Sequence, residues 1–139
     1  MLSEHLVIDT NVLISGLIFA NSKPNQAIEK AFKEYTVCMS HETFDEFNEV
    51  IRREKFLRYF PSVSYREHLI ATFLSHIEIF PSRVSVRDCQ DPKDNKFLEI
   101  SLSVNAKYLV TGDKKDLLSM NPYRNVEIIS VSEFLAETR

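Results

Sequence analysis

Five short apolar runs punctuate this chain: His5–Ile8, Tyr35–Met39, Ile77–Phe80, Lys107–Val110 and Val126–Ser130. Helix-forming stretches fall between most of them, and this alternation most constrains the fold. Runs this short suit strands buried on both faces rather than helices. The first run ends abruptly, because Leu6-Val7-Ile8 gives way to an acid, a hydroxyl and an amide in Asp9-Thr10-Asn11. The fourth does the same, with Tyr108-Leu109-Val110 passing into Thr111-Gly112-Asp113.

The intervening stretches carry helix signals. Pro24 opens a helix to about Glu34, with Ala27, Ile28, Ala31 and Phe32 on one face. Ser40 is placed to cap a second, to about Arg53, whose buried stripe is Phe44, Phe47, Val50 and Ile51. Ser64 and Glu67 have capping-box spacing for a third, ending near His76. Pro92 starts a fourth, from about Lys93 to Val104, and Ser130 with Glu133 caps a terminal helix. Ser15–Asn21 reads as a loop or short helical turn. The alternation of Val84 and Val86 lets Ser82–Cys89 extend an edge strand. The order predicts one α/β domain over residues 1–139, with a central, mostly parallel five-stranded sheet and helices on both faces.

Composition agrees with that class. A chain of 139 residues suits one domain, and 44% hydrophobic residues with ten Phe can fill a core. A net charge of −3 gives no global basic field, although a local basic patch beside an acidic site would be hidden in that sum. Cys38 and Cys89 lack metal-ligand spacing and read as reduced thiols, which predicts a cytoplasmic protein. No signal peptide or membrane-spanning run is indicated.

Parallel α/β sheets bind ligands at the carboxyl ends of their strands. Asp9 and Asp113 stand at such ends. Asp91 and Asp94 flank the start of the helix before the fourth strand, and Glu46 begins the second turn of the helix after the second. Clustered carboxylates repel unless a cation joins them, and carboxylate oxygens suit magnesium or manganese. Such ions keep positions open for a phosphate oxygen and a water. Thr10, Asn11, Ser15 and Thr111 are short polar neighbours able to orient the acids.

Each acid alone has an ordinary use. Asp9 can cap a turn, Asp91 can cap the helix at Pro92, Asp94 can complement a helix dipole, Asp113 can serve a turn, and Glu46 can be solvated. Their joint placement is what points to a shared site. The four His residues do not pair at metal spacing, and no Gly-rich phosphate loop or nucleophile elbow is present. The basic residues are local. Arg52, Arg53, Lys55 and Arg58, interleaved with aromatics, read first as a solvated helix end. Lys114 and Lys115, directly after Asp113, are better placed to meet a phosphate backbone.

Four segments together resemble the PIN domain, a compact nuclease fold, and most nearly its toxin components. Val7-Ile8-Asp9-Thr10-Asn11-Val12-Leu13-Ile14-Ser15 is similar to the opening motif of that family. Ser40-His41-Glu42-Thr43-Phe44-Asp45-Glu46 is similar to the second, Asp91-Pro92-Lys93-Asp94-Asn95-Lys96-Phe97-Leu98 to the third, and Leu109-Val110-Thr111-Gly112-Asp113 to the fourth. The chain departs from the pattern at Ser101 and Ser103, where small Ala residues are usual, and at Val104-Asn105, where a Gly-containing turn is common. The resemblance implies a divalent-metal-dependent ribonuclease in which Asp9, Glu46, Asp94 and Asp113 bind magnesium or manganese. Asp91 would be an accessory acid, with Thr10, Asn11, Ser15 and Thr111 supporting; from their own placement and charge, Lys114, Lys115, Arg52 and Arg53 are the candidates to meet RNA. It also implies an antitoxin partner and a homodimer; the segment around Phe56–Phe60 is a candidate partner surface, with core packing as its first reading.

Two other readings compete. One is a non-catalytic PIN-like module that binds RNA or protein, which retention of all four acids disfavours. The other is a response-regulator receiver. That fold needs an acidic pair after its first strand and an acceptor Asp after its third, where this chain has one acid and Phe80-Pro81.

Overall fold

In the computed structural model, which describes residues 3–112 and 115–137, the five runs form one parallel sheet. Its strands are β1 (His5–Ile8), β2 (Thr36–Met39), β3 (Ile77–Ile79), β4 (Tyr108–Thr111) and β5 (Glu127–Ser130), in spatial order β3-β2-β1-β4-β5. The chain steps outward from β1 to β3, returns across the sheet to β4, and steps outward the other way to β5. Strand order therefore reverses between β1 and β4. Ile8 pairs with Val110 there, which brings their carboxyl ends level.

Seven helices are described: α1 (Thr10–Ile18), α2 (Lys23–Glu34), α3 (His41–Ile51), α4 (Val63–Leu74), α5 (Asn95–Ser103), α6 (Lys115–Leu118) and α7 (Val131–Ala136). The pleat sorts strand side chains between two layers. Leu6, Ile8, Val37, Met39 and Val110 join Ala27, Phe47, Ile70 and Phe134 from α2, α3, α4 and α7. Val7, Cys38, Leu109 and Ile128 join Phe97, Leu98 and Leu117 from α5 and α6. Covering both faces explains why the central strands β1, β2 and β4 are so apolar, whereas edge strand β3 exposes Glu78 and Ile79. Each fully buried side chain such as Leu6 or Leu109 contributes about 1.5–3 kcal/mol. No helix among the described residues is long and apolar enough to cross a membrane.

The structure corrects three local expectations. Residues 15–18, expected in a loop or short turn, lie in α1, which starts directly after β1 because Asp9 Oδ1 accepts from the Val12 amide at 2.9 Å. Gly16 sits in this helix for a packing reason: a Cβ there would lie 2.2 Å from Ile28 Cδ1 and 3.1 Å from the Pro24 carbonyl carbon. Helix α4 is capped by Ser62, whose hydroxyl accepts from the Tyr65 amide at 3.0 Å, and not by Ser64 with Glu67. Glu67 instead receives Arg52 and Arg66.

Ser82–Cys89 is not an edge strand. It runs antiparallel along α5, whose side chains satisfy its amides. Arg83 N donates to Ser103 Oγ at 2.8 Å, Val86 N to Glu99 Oε2 at 3.0 Å and Cys89 N to Asn95 Oδ1 at 2.9 Å. Ser103 thus does work that Ala could not. Asn105 takes the left-handed conformation, with φ 53°, that favours glycine at a helix end. The terminal capping box of Ser130 and Glu133 forms as expected.

Candidate functional site

The carboxyl ends of β1 and β4 meet where strand order reverses, the place at which neighbouring crossovers part and leave a crevice. Asp9 is the first residue beyond β1 and is completely buried. Its Oδ1 caps α1, while Oδ2 accepts from the Thr111 hydroxyl and, at 3.3 Å, from the Gly112 amide. The capping use and the rim use of this acid coexist on different oxygens. Thr111, last in β4, is equally buried.

The next residue, Thr10, donates its hydroxyl hydrogen bond to Glu46 Oε2 on α3. Glu46 Oε1 lies 2.8 Å from the Lys96 ammonium, in the first turn of α5. Two linked pairs, Thr111 with Asp9 and Thr10 with Glu46, are therefore joined through one peptide bond, and Lys96 closes the far end. The Lys96–Glu46 pair is only partly exposed, at 26% and 23%, and is worth on the order of 1 kcal/mol. The sequence reading passed over Lys96; its one signal was a cation two residues beyond the acid that opens the helix.

Asp94 ends the 3-10 turn Pro92–Asp94 that leads into α5, and it is buried. Helix α5 packs on β1 and reaches α3, so Asp94 opens a third element near this rim. Asp91 caps the turn, its side chain accepting from the Lys93 amide at 3.1 Å. Asn11 is exposed and Ser15 half-buried one helical turn later on α1. Asp113 and Lys114 lie outside the described residues; Lys115 is exposed at the start of α6.

The basic cluster splits. Arg52 is bound in a fork to Glu67, at 2.7 and 3.1 Å, and to Asn48, so it ties α3 to α4. Its partners hold the Glu67 carboxyl down at about 2, through hydrogen bonds from Arg52 first and Arg66 second. Arg53 pairs with Glu49 on the exposed side of α3 and borders the groove beside Glu46. In the aromatic segment, Phe56 and Phe60 pack against the core while Leu57 and Tyr59 are exposed.

The donors at this rim are carboxylate and hydroxyl oxygens, a set that fits magnesium or manganese by hardness. Among the described residues no three carboxylates, imidazoles or thiols stand together as a ready metal cage. Burial pushes the Cys38 thiol up to about 12, so it is held as the neutral thiol within the core.

Two hollows adjoin the rim. A groove of about 680 Å³ runs past Thr10, Glu46, Arg53, Lys93 and Lys96. A cavity of about 320 Å³ lies beside Val12, Ser15, Lys23 and Gly112. Asn11 borders both.

The PIN domain profile matches residues 5–115. An uncharacterized protein of Methanocaldococcus jannaschii is 30% identical over 141 aligned positions, covering 95% of this chain and 90% of that protein. The crystal structure of VapBC2 from Rickettsia felis, bound to a DNA fragment from their promoter, contains a chain that superposes with a TM-score of 0.61. The match is 16% identical and covers 91% of this chain and 98% of that one. At that identity the likeness speaks to the fold.

Proposed function

This chain belongs to the PIN domain family, and from that premise we propose that it is a divalent-metal-dependent endoribonuclease, the toxin of a toxin–antitoxin pair. Its acids would be Asp9, Glu46, Asp94 and Asp113. The observation that carries this reading is the linked run Thr111–Asp9–Thr10–Glu46–Lys96, which gathers two acids and a cation from separate elements at the reversal of strand order.

Magnesium or manganese held by these carboxylates would supply Lewis acidity toward a water and a phosphate oxygen. The protein's own contribution is orientation. Three donors fix the Asp9 carboxylate, so it need not reorganise when charge develops on the phosphate. The Thr10 hydroxyl does the same for Glu46. Asp91 holds the turn that carries Asp94, and Asn11 and Ser15 offer neutral polar contacts. Arg53 and Lys96 border the groove, and Lys115 together with Lys114 follows the fourth acid, so all four would meet phosphates. Arg52, committed to Glu67, would serve by anchoring α3.

A toxin setting calls for an antitoxin protein, a second copy of this chain and a cytoplasmic location. Exposed Phe19, Leu57, Tyr59, Val63 and Tyr65 support a protein-binding surface, with Phe19 and Tyr59 edge-to-face at 5.2 Å. The VapBC2 neighbour, itself bound to promoter DNA, supports the toxin–antitoxin setting.

The decisive test is cleavage of an unstructured RNA with manganese or magnesium. Excess chelator should stop it, and Asp9→Asn should lower it at least about 100-fold while the protein stays folded. Cleavage that survives either change would overturn the proposal.

A further inference from the structure

The two edges of the sheet are finished differently. At the β5 edge the outward amide of Ile128 is already taken, by Asn121 Oδ1 at 2.7 Å. The β3 edge has no such cap. Phe80 N donates to Met39 O at 2.9 Å, so the amide and carbonyl of Ile79, one residue earlier, point away from β2. Ile77 shares that direction by the same alternation. Among the described residues no strand, loop or side chain bonds the outward groups of Ile79. Beyond Pro81 the chain leaves the sheet to run along α5. A free edge of this kind is a template for another extended chain.

The side chains of β3 decide what kind of chain fits. Ile77 and Ile79 share one face of the pleat, where Ile77 is buried and Ile79 is 41% exposed. Glu78 stands on the other face beside Cys38 and is exposed. It lines a hollow of about 790 Å³ with Phe80, His5 and Thr36, which reaches the amino ends of β1 and β2 and shares no residue with the acidic rim. The neighbouring polar groups are engaged: Glu4 pairs with Lys107 at 3.6 Å, and His5 Nδ1 lies 2.9 Å from Val104 O. Glu78 has no ion pair or hydrogen bond among the described residues. A strand laid beside β3 would place one residue directly opposite Glu78, on the same face. A second copy of β3, in the register that aligns its Ile residues with these, would set Glu78 against Glu78, and like charges directly opposite destabilise. A Lys or Arg there reverses the sign. It also reaches the hollow, where the Phe80 and His5 rings lie 5.4 Å apart. Apolar residues on either side of it would cover Ile77 and Ile79.

We propose that the β3 edge docks an extended segment of a partner protein with the pattern apolar–basic–apolar, which adds a strand to the sheet and pairs its basic side chain with Glu78 in the hollow. Main-chain bonds to Ile79 supply the attachment, and the charge opposite Glu78 supplies the choice of partner. The site uses none of the four acids, so it stands whether or not the chain cleaves RNA.

The probe is the peptide acetyl-Thr-Val-Lys-Val-Thr-amide. It is compared with the same peptide carrying Glu in place of Lys, and with n-butylamine, which has the ammonium without the backbone. Amide NMR and hydrogen exchange of the intact protein are the readouts. The Lys peptide should shift the amides of Ile77, Glu78, Ile79 and Phe80. It should also slow exchange at the Ile79 amide, which should be fast in the free protein. Glu78→Lys, on an exposed side chain, should weaken the Lys peptide about tenfold and make the Glu peptide the better ligand. Ile79→Pro removes the outward amide, a change that edge strands tolerate, and should abolish binding of both peptides while the melting temperature stays near that of the wild type. No binding of the Lys peptide at millimolar concentration, equal binding of the two peptides, or an unchanged preference in Glu78→Lys would each overturn the proposal. So would butylamine reproducing every shift. An Ile79 amide that becomes protected without peptide as the protein is concentrated would overturn it too, and would assign the edge to a second copy.

Discussion

The Lys96 ammonium lies 2.8 Å from Glu46 Oε1, while the other oxygen of the same carboxylate accepts from Thr10. Glu46 is thereby held by a cation from α5 and a hydroxyl from α1. Lys96→Met should leave it without its counter-ion and destabilise the protein by about 1 kcal/mol. Glu46→Gln combined with Lys96→Met should then cost less than the sum of the two single changes. Urea unfolding of all four proteins measures this coupling, and strict additivity would show that the pair contributes nothing.

Bringing carboxylates together on one rim also couples folding to metal. Manganese at 100 times its dissociation constant should stabilise the folded chain by about 2.7 kcal/mol, read as a rise in melting temperature. Glu46→Gln and Asp113→Asn should each shrink that rise. A melting temperature indifferent to manganese and magnesium would argue against a shared cation site.

Acid stability should depend on Glu67. Its carboxyl is held at about 2, below its ordinary 4.5, by Arg52 and Arg66. A depressed value contributes stability that is fully present above the ordinary value and disappears as pH falls through the folded one. The wild-type protein should therefore lose stability between about pH 4.5 and about pH 2 more steeply than Glu67→Gln. Denaturant midpoints measured across that window provide the comparison. Equal slopes would mean that the bridge between α3 and α4 adds nothing.

Gly16 lets α1 lie close against α2. Gly16→Ala should destabilise by about 1–3 kcal/mol, because the added methyl meets Ile28 Cδ1 and the Pro24 backbone. Ile28→Val removes the nearer obstacle, so the double variant should lose less than the two single changes combined. Thermal unfolding of the three variants checks this.

Much of this architecture was legible in the sequence, for identifiable reasons. Strands buried on both faces leave continuous apolar runs, such as Leu6–Ile8 and Tyr108–Val110, and even the exposed edge strand Ile77–Ile79 keeps two Ile as its signal. Ser40 and Ser130 announce their helices because capping is local chemistry. The misses came where tertiary contacts override local signals. Gly16 resembles a loop residue until Ile28 is seen against it. Ser82–Cys89 has strand-like alternation, yet its amides find Ser103, Glu99 and Asn95 instead of a neighbouring strand. Helix α6, at four residues, was too short to leave a periodic pattern. Strand ends revealed Asp9, Thr10 and Thr111, whereas the bond between Lys96 and Glu46 spans 50 positions and no local pattern encodes it.

The strand order also sets a timetable. Asp9 is synthesised well before its hydroxyl partner Thr111, which lies 102 positions later, beyond the crossover that returns the chain to the centre of the sheet. While the ribosome is still making α3 and α4, Asp9 has no neighbour on its β4 side. On the function proposed, a chain still tethered to its own messenger would lack the finished rim until β4 emerges, and so could not itself cut the message it is being read from.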